Sequence, residues 1–384
     1  MQVVIFATST PWLGGVGQYI SYVLPHLLSR LRAKGCRSVV LLSHDSLLKC
    51  EPHGGRGVYL PSARGNRVAR VALDDFYCWF LSWGADVFVS LQNVLPLVPL
   101  PARRTLAVVH DLRQLLGRAF LRQWGPNVPG SSERYWRACH VRTVRMADRI
   151  VADSDYVSGE LRTAGKVSSD RIARVYAGVD RTRFRPITNS ELVEGVRRRY
   201  HLPDQFYIFV GGLARGWKNL ELIVRSYILS RGEPGLCLPV VITSGRPAGT
   251  RGYRALELIE ENQMGHLFRF VGHIADDDLP AAYSMARGLL YPSLYEGFGM
   301  PPLEAMACGT PVVASNTTAL PEIIADAGIL IDPTSPESLL AALGRLNDPT
   351  VRGQMIQKGF NRARQFSWEQ TAEELANEIV TLGA

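Results

Sequence analysis

Short apolar runs recur along the chain, separated by longer stretches in which apolar residues return every three or four positions. In the first half the runs are VVIFA (3–7), SVVLLS (38–43), DVFVSL (86–91), TLAVVH (105–110) and RIVADS (149–154). In the second half they are YIFVGG (207–212), PVVITSG (239–245), FRFVGH (268–273), GLLYPS (288–293) and PVVAS (311–315). They read as buried parallel strands, and their alternation with amphipathic segments predicts βαβ units wound into doubly wound sheets. There are two such series. Between them lies a charged, proline-marked stretch (181–205), which places a boundary near Pro186. The fold class is therefore α/β, with Rossmann-like domains over 1–186 and 187–365 and an amphipathic helix over 366–384. Ser367 is the N-cap expected for that helix, with Gln370 as its capping-box partner. Two such domains on one linker would form an inter-domain cleft at the carboxyl ends of their sheets, where ligands of these folds bind.

A chain of 384 residues fits two cores better than one. No run of 18 apolar residues exists, and the opening MQVVIFATSTP has a strand's pattern rather than that of a signal peptide. Six cysteines are scattered without CxxC spacing, which fits a reduced, cytoplasmic setting and argues against structural zinc. Charge is uneven. Residues 1–185 hold 26 Lys/Arg against 13 Asp/Glu, and the remainder 17 against 22. The basic half is dominated by arginines 103, 104, 113, 118, 122, 134, 137, 142, 145 and 149. Anionic lipid, a phosphorylated substrate or nucleic acid would each match such a surface. No nucleic-acid reader motif accompanies it, so no nucleic-acid partner is expected.

The most informative stretch is YEGFGMPPLEAMACGTP (295–311). A strand ends near Ser293, and a short helix begins with prolines in its first turn and stops at Gly309. Gly297 to Pro301 must form a turn between them. Glu296 then sits on the loop and Glu304 one turn into the helix. Glycines let a ligand approach the backbone, and a helix N-terminus favours an anion such as phosphate. A carboxylate at each edge can accept hydrogen bonds from sugar hydroxyls. The stretch suits a sugar joined to a phosphate.

These residues resemble the Glu-x7-Glu signature of retaining GT-B glycosyltransferases, family 4 (glycosyl transferases group 1). The resemblance continues through ADRIVADSDYVSGEL, VYAGVDRTRFRP, FVGGLARGWKNL, FVGHIADDDLPAAYSMA and ALPEIIADAGILIDPTSPESLLAAL, and is weakest over 44–100. It implies transfer of a sugar from a nucleotide diphosphate donor to an acceptor hydroxyl with retained anomeric configuration. It implies that Glu304 binds the ribose, that Glu296 contacts the donor hexose, and that the amides of Phe298, Gly299 and Met300 help hold phosphate or sugar. Lys218 in GGLARGWKN (211–219) matches the diphosphate-binding lysine. Where the family often has an arginine this chain has Gly212 and Trp217, leaving Arg215 to substitute.

Three further loops fall in family positions. The glycine-rich turn of PWLGGVGQYI (11–20), with Gly14 and Gly15, resembles the family's N-terminal loop near the donor phosphate and the acceptor. His110 of VVHDL (108–112) matches a His close to the reacting sugar, which would act through its imidazole or its carbonyl. Asp111 would cap the next segment or touch the acceptor. VGH (271–273) stands where backbone groups read the base, with Val271 and His273 as candidates. The acidic runs DSD (153–155) and DDD (276–278) read as helix starts rather than metal ligands, and no essential metal or cofactor is expected. The wording of HDL and the Glu-x7-Glu stretch is most like bacterial mannosyl- or rhamnosyltransferases of surface polysaccharide. That implies a GDP-linked hexose donor, a glycan or lipid-linked oligosaccharide acceptor, and a place on the anionic inner face of the membrane. A UDP-sugar-dependent glucosyl- or N-acetylglucosaminyltransferase, a nucleotide-sugar epimerase and a glycoside hydrolase using Glu296 and Glu304 are the alternatives.

Overall fold

The protein is described by a computed structural model. It covers residues 1–8, 14–43, 53–60, 67–113, 115, 130–212, 216–231, 235–247 and 253–384. The chain forms two compact units. The first comprises the described residues of 1–178 together with 366–384, and the second those of 179–365.

In the first unit seven strands form one parallel sheet: β1 Gln2–Ala7, β2 Arg37–Ser43, β3 Gly55–Leu60, β4 Val87–Ser90, β5 Arg104–Val109, β6 Arg149–Ala152 and β7 Ile172–Arg174. Their order is β3-β2-β1-β4-β5-β6-β7. In the second unit six strands, β8 Tyr207–Phe209, β9 Val240–Ile242, β10 Phe268–Phe270, β11 Gly288–Tyr291, β12 Val312–Ser315 and β13 Ile329–Ile331, run β10-β9-β8-β11-β12-β13. Every pairing in both sheets is parallel. Each sheet starts in the middle, winds to one edge, then returns to wind to the other. The strand order reverses between β1 and β4 in the first and between β8 and β11 in the second. Loops at the carboxyl ends of strands flanking such a reversal splay apart and leave a crevice.

All ten strands expected from the apolar runs are present; β1, β2 and β5 begin one residue earlier than expected, and eight of the ten lose one to four residues from the ends of their runs. Three others, β3, β7 and β13, escaped that reading. Two are only three residues long, and GRGVYL is diluted by two glycines and an arginine. The sheets supply the cores, with Val4, Phe88 and Ile150 buried in the first unit and Tyr207, Ile242 and Leu290 in the second. Full burial of each such side chain contributes about 2 kcal/mol.

The helix Trp368–Gly383 packs on the helix Gly15–Ala33 and on β4 and β5, so it completes the first unit although it follows the second in sequence. Trp368 stacks on Tyr22 at 5.4 Å between ring centroids, and Leu375 and Ile379 are buried. Arg149 and Glu378 close an ion pair at 2.7 Å. Ser367 caps this helix, its Oγ accepting from the Gln370 amide at 3.2 Å. The reciprocal half of the expected capping box is absent, because the Gln370 side chain donates to Glu374 one turn on, at 2.8 Å.

Candidate functional site

In the second unit the two loops singled out in the sequence follow β8 and β11, the strands flanking the reversal. The first runs to the short helical turn Gly216–Lys218, and the second to the helix Met300–Ala307. They are tied directly, the Leu294 amide donating to the Trp217 carbonyl at 2.7 Å. This juxtaposition brings together residues 78 positions apart. Lys218 Nζ donates to Glu296 Oε1 at 2.6 Å and to the Tyr291 hydroxyl at 2.5 Å, and lies 4.4 Å from the centre of the Tyr291 ring. Lys218 is buried, and the Glu296 side chain is only 15% exposed. A pair with so little water around it interacts far more strongly than one on the surface, and leaving either partner alone would be costly.

The glycine that matters beside this lysine is Gly211. Its φ is 151°, and a Cβ there would stand 3.2 Å from Lys218 Cγ and Cδ. Gly212, which the resemblance places among the donor-binding residues, is open: a Cβ there would meet nothing within 4 Å. Arg215 lies outside the described residues.

Glu296 is fixed through its main chain: its amide donates to Thr318 Oγ1 at 3.1 Å, and its carbonyl accepts from the Ala319 amide at 3.3 Å. Gly299, with φ 112°, turns the chain into the helix, and a Cβ there would come 2.9 Å from Leu320 Cδ2. Pro301 and Pro302 have no N–H, so the first helical turn presents fewer donors than an ordinary one. Gly299 and Met300 keep their amides at this corner, and the Phe298 side chain is buried. One turn on, Glu304 is buried and its Oε2 accepts from the Tyr283 hydroxyl at 3.2 Å. Burial pushes its carboxyl up to about 7, against the pull of Tyr283 and of the Arg183 charge.

In the first unit Gly14 and Gly15 open the helix Gly15–Ala33 beyond β1, with Gly14 at φ 104°. His110 is the first residue past β5 and is buried. Its Nδ1 lies 3.1 Å from Asp153 Oδ2, its Nε2 3.2 Å from the Leu91 carbonyl, and its amide donates to Asn93 Oδ1 at 2.7 Å. The Tyr19 ring meets it edge-on at 4.5 Å. Burial alone would lower the imidazole's pKa. The hydrogen bond and charge of Asp153 outweigh that and raise it. Both ring nitrogens thus have partners within this unit. At Asp111 burial works to raise the carboxyl, but the Arg113 guanidinium 2.8 Å away holds it down at about 2.

Asp153 and Asn93 were missed in the sequence. A signal existed for the first: Val109 is in register with Ala152, so His110 and Asp153 are the next pair beyond their strands. Ser154 does cap the following helix, accepting from the Val157 amide at 3.1 Å, as read for DSD. Asp278 of DDD precedes its helix without capping it and accepts instead from Tyr200 at 2.8 Å and from Arg199. Among the described residues no group of three or more His, Cys, Asp or Glu gathers as metal ligands.

The Glycosyltransferase Family 4 profile matches residues 13–183, and the Glycosyl transferases group 1 profile matches residues 197–362. The chain belongs to the family 4, group 1 glycosyltransferases. It is 32% identical over 253 residues to the O-antigen chain mannosyltransferase B of Escherichia coli, a match covering 65% of each protein. It is 29% identical over 323 residues to the serotype-specific mannosyltransferase WbdA of E. coli, covering 83% of this chain and 38% of that protein. It is 34% identical over 246 residues to the D-inositol 3-phosphate glycosyltransferase of Salinispora tropica, covering 61% of this chain and 51% of that one. The matched segment thus spans less than two thirds of each of these relatives. Among solved structures, sucrose-phosphate synthase of Thermosynechococcus elongatus has a TM-score of 0.73 at 21% identity, over 99% of this chain and 98% of that one. WaaG, a glycosyltransferase involved in lipopolysaccharide biosynthesis, has 0.69 at 18% identity, over 99% of each chain. The glycosyltransferase therefore has the GT-B fold. Both family profiles span a strand-order reversal with its loops, so the residues at those loops are the glycosyltransferase's candidate site.

Proposed function

We propose that the protein transfers a hexose, mannose or a close relative, from a GDP-linked donor to a hydroxyl of a glycan or lipid-linked oligosaccharide, with retention of anomeric configuration, in the assembly of a surface polysaccharide. The observation that carries this reading is the Lys218–Glu296 pair at the strand-order reversal of the second sheet, with Glu304 one helical turn away. The mannose and O-antigen parts take their support from the names of the E. coli relatives.

As the glycosidic bond breaks, the nucleotide diphosphate gains charge. Lys218 and the amides around Gly299 and Met300 are the groups placed to stabilise it. Glu304 accepts from the ribose hydroxyls and Glu296 from a hexose hydroxyl, which fixes the donor's orientation. The acceptor hydroxyl attacks on the face the phosphate leaves and passes its proton to that phosphate. No protein nucleophile and no metal are required in this scheme. The ion pair with Lys218 commits Glu296 to electrostatic partnership, which suits orientation better than the acid and nucleophile work of a glycoside hydrolase.

Donor choice is tested by thermal stabilisation. A GDP-hexose at about one hundred times its Kd should add about 2.7 kcal/mol, while UDP- and dTDP-sugars at the same concentration should add much less. Greater stabilisation by a UDP-sugar would move the assignment to that donor. Conversion of the donor without acceptor would mark an epimerase, and product with inverted configuration by NMR would end the retaining reading.

Asp153 is read as the residue that positions His110. Asp153→Asn should lower kcat/KM on the order of tenfold with little change in donor KM. By NMR titration the His110 pKa should fall from its raised wild-type value, because burial is then opposed only by the Leu91 carbonyl and the Asp111 charge. An unmoved His110 titration would remove Asp153 from this role.

A further inference from the structure

Over residues 73–81 the helix Arg67–Leu81 carries apolar side chains both toward the core and toward solvent. Cys78, Ser82 and Ala85 are buried against the first unit. Phe76, Trp79 and Phe80 stand at the i, i+3, i+4 spacing of one helical stripe, Trp83 follows in the turn just past the helix, and the four are 55%, 38%, 58% and 62% exposed. The rings support one another: Phe76 stacks on Phe80 at 6.2 Å between centroids, and Trp79 meets Trp83 edge-on at 5.6 Å. Periodicity alone would send such a stripe inward. A run of four exposed aromatics on one ridge marks a surface that something covers.

We propose that this ridge seats the protein on a membrane by entering the interfacial layer of an anionic phospholipid bilayer. The composition of the ridge fits that layer, since indole and phenyl rings settle at headgroup depth, with the indole N–H toward water. The charge around it fits as well. The neighbouring helix Gly130–Met146, whose Tyr135 and Cys139 sense the charge of Asp75, exposes Arg134, Arg137 and Arg145. Arg103 is 74% exposed, and its amide bonds the Ala85 carbonyl two residues past Trp83. The half of the chain that holds the ridge has twice as many basic as acidic residues. A second copy of the chain is a poor occupant, because a symmetric contact would set two basic halves against each other. Apolar rings flanked by arginines are the two signals that together give durable attachment to a lipid surface. Among the described residues no helix is long and apolar enough to cross a membrane, so attachment by this ridge would be peripheral.

The full chain should float with vesicles of phosphatidylglycerol and phosphatidylethanolamine at low salt, and lose them in phosphatidylcholine alone. Trp79→Ser/Trp83→Ser and Phe76→Ser/Phe80→Ser should each reduce partitioning about tenfold or more. Brominated phospholipid should quench the wild-type tryptophan emission, and quenching should largely disappear in Trp79→Ser/Trp83→Ser. Because Phe76 and Phe80 are more than half exposed, Phe76→Ser/Phe80→Ser should leave the unfolding midpoint nearly unchanged, and neither double variant should alter the stabilisation by a sugar nucleotide, which separates this surface from the donor site. Failure of the wild type to float, or equal flotation of the variants, would overturn the proposal. So would a wild-type dimer in sedimentation equilibrium that Phe76→Ser/Phe80→Ser converts to monomer.

Discussion

Lys218→Ala should lower kcat/KM on the order of a thousandfold, the scale of removing a preorganised charge from a developing anion. The same change should also destabilise the second unit by about 3 kcal/mol, because the Glu296 side chain would lose its counter-ion in a poorly hydrated site. The two effects are separable. Lys218→Ala/Glu296→Ala should recover most of the lost stability, since the orphaned carboxylate is gone, and should recover no activity. Denaturant unfolding of the two single variants and the double variant, beside initial rates with a sugar nucleotide, reads both effects. Stability losses that simply add would mean the two side chains do not act as a pair. A Lys218→Ala enzyme with wild-type turnover would remove the diphosphate role from this lysine.

Glu304→Gln should stabilise the protein while weakening its hold on the donor. The buried carboxyl titrates at about 7, against an ordinary value of about 4.5. Below pH 4.5 folded and unfolded chains both hold the proton and the group contributes nothing. Between 4.5 and 7 the folded chain holds the proton and the unfolded chain has released it, so stability falls as pH rises. Above 7 the full cost of a buried charge is present, about 3 kcal/mol. The amide removes that cost, so the variant's advantage should be greatest near pH 8 and vanish near pH 4.5. Donor affinity should fall about ten- to a hundredfold at pH 8, since an amide accepts more weakly than a carboxylate. In the wild type, donor affinity should rise from pH 6 to 8 as Glu304 ionises. Unfolding midpoints and donor titrations across that range test both signs, and a variant less stable than wild type at pH 8 would show the carboxylate to be held charged by its neighbours.

Much of this was legible in the sequence, and what was not has physical reasons. The apolar runs located ten strands because a strand buried on both faces must be apolar throughout. The loop following β11 was legible because its glycines and prolines mark a turn and a helix start. Pairings between distant loops were not. Lys218 meets Glu296, and His110 meets Asp153, only because β8 lies beside β11 and β5 beside β6, and strand order is a property of the assembled sheet. The aromatic ridge at residues 76–83 has the periodicity of a core face, and only its exposure in the folded unit shows otherwise. The dual effect of Pro301 and Pro302 was half visible: they start the helix well and also withdraw two amides from its amino-terminal turn.

The return of Trp368–Gly383 to the first unit has a consequence for biosynthesis. The ribosome completes the first sheet early, but the helix that shields its flank emerges close to 190 residues later, after the whole second unit. At ordinary translation speeds that delay is roughly 10–40 s. For that interval the nascent amino-terminal half exposes the apolar seat of Trp368, Leu375 and Ile379 to chaperones and to other chains, and the carboxyl-terminal half is the first able to finish folding.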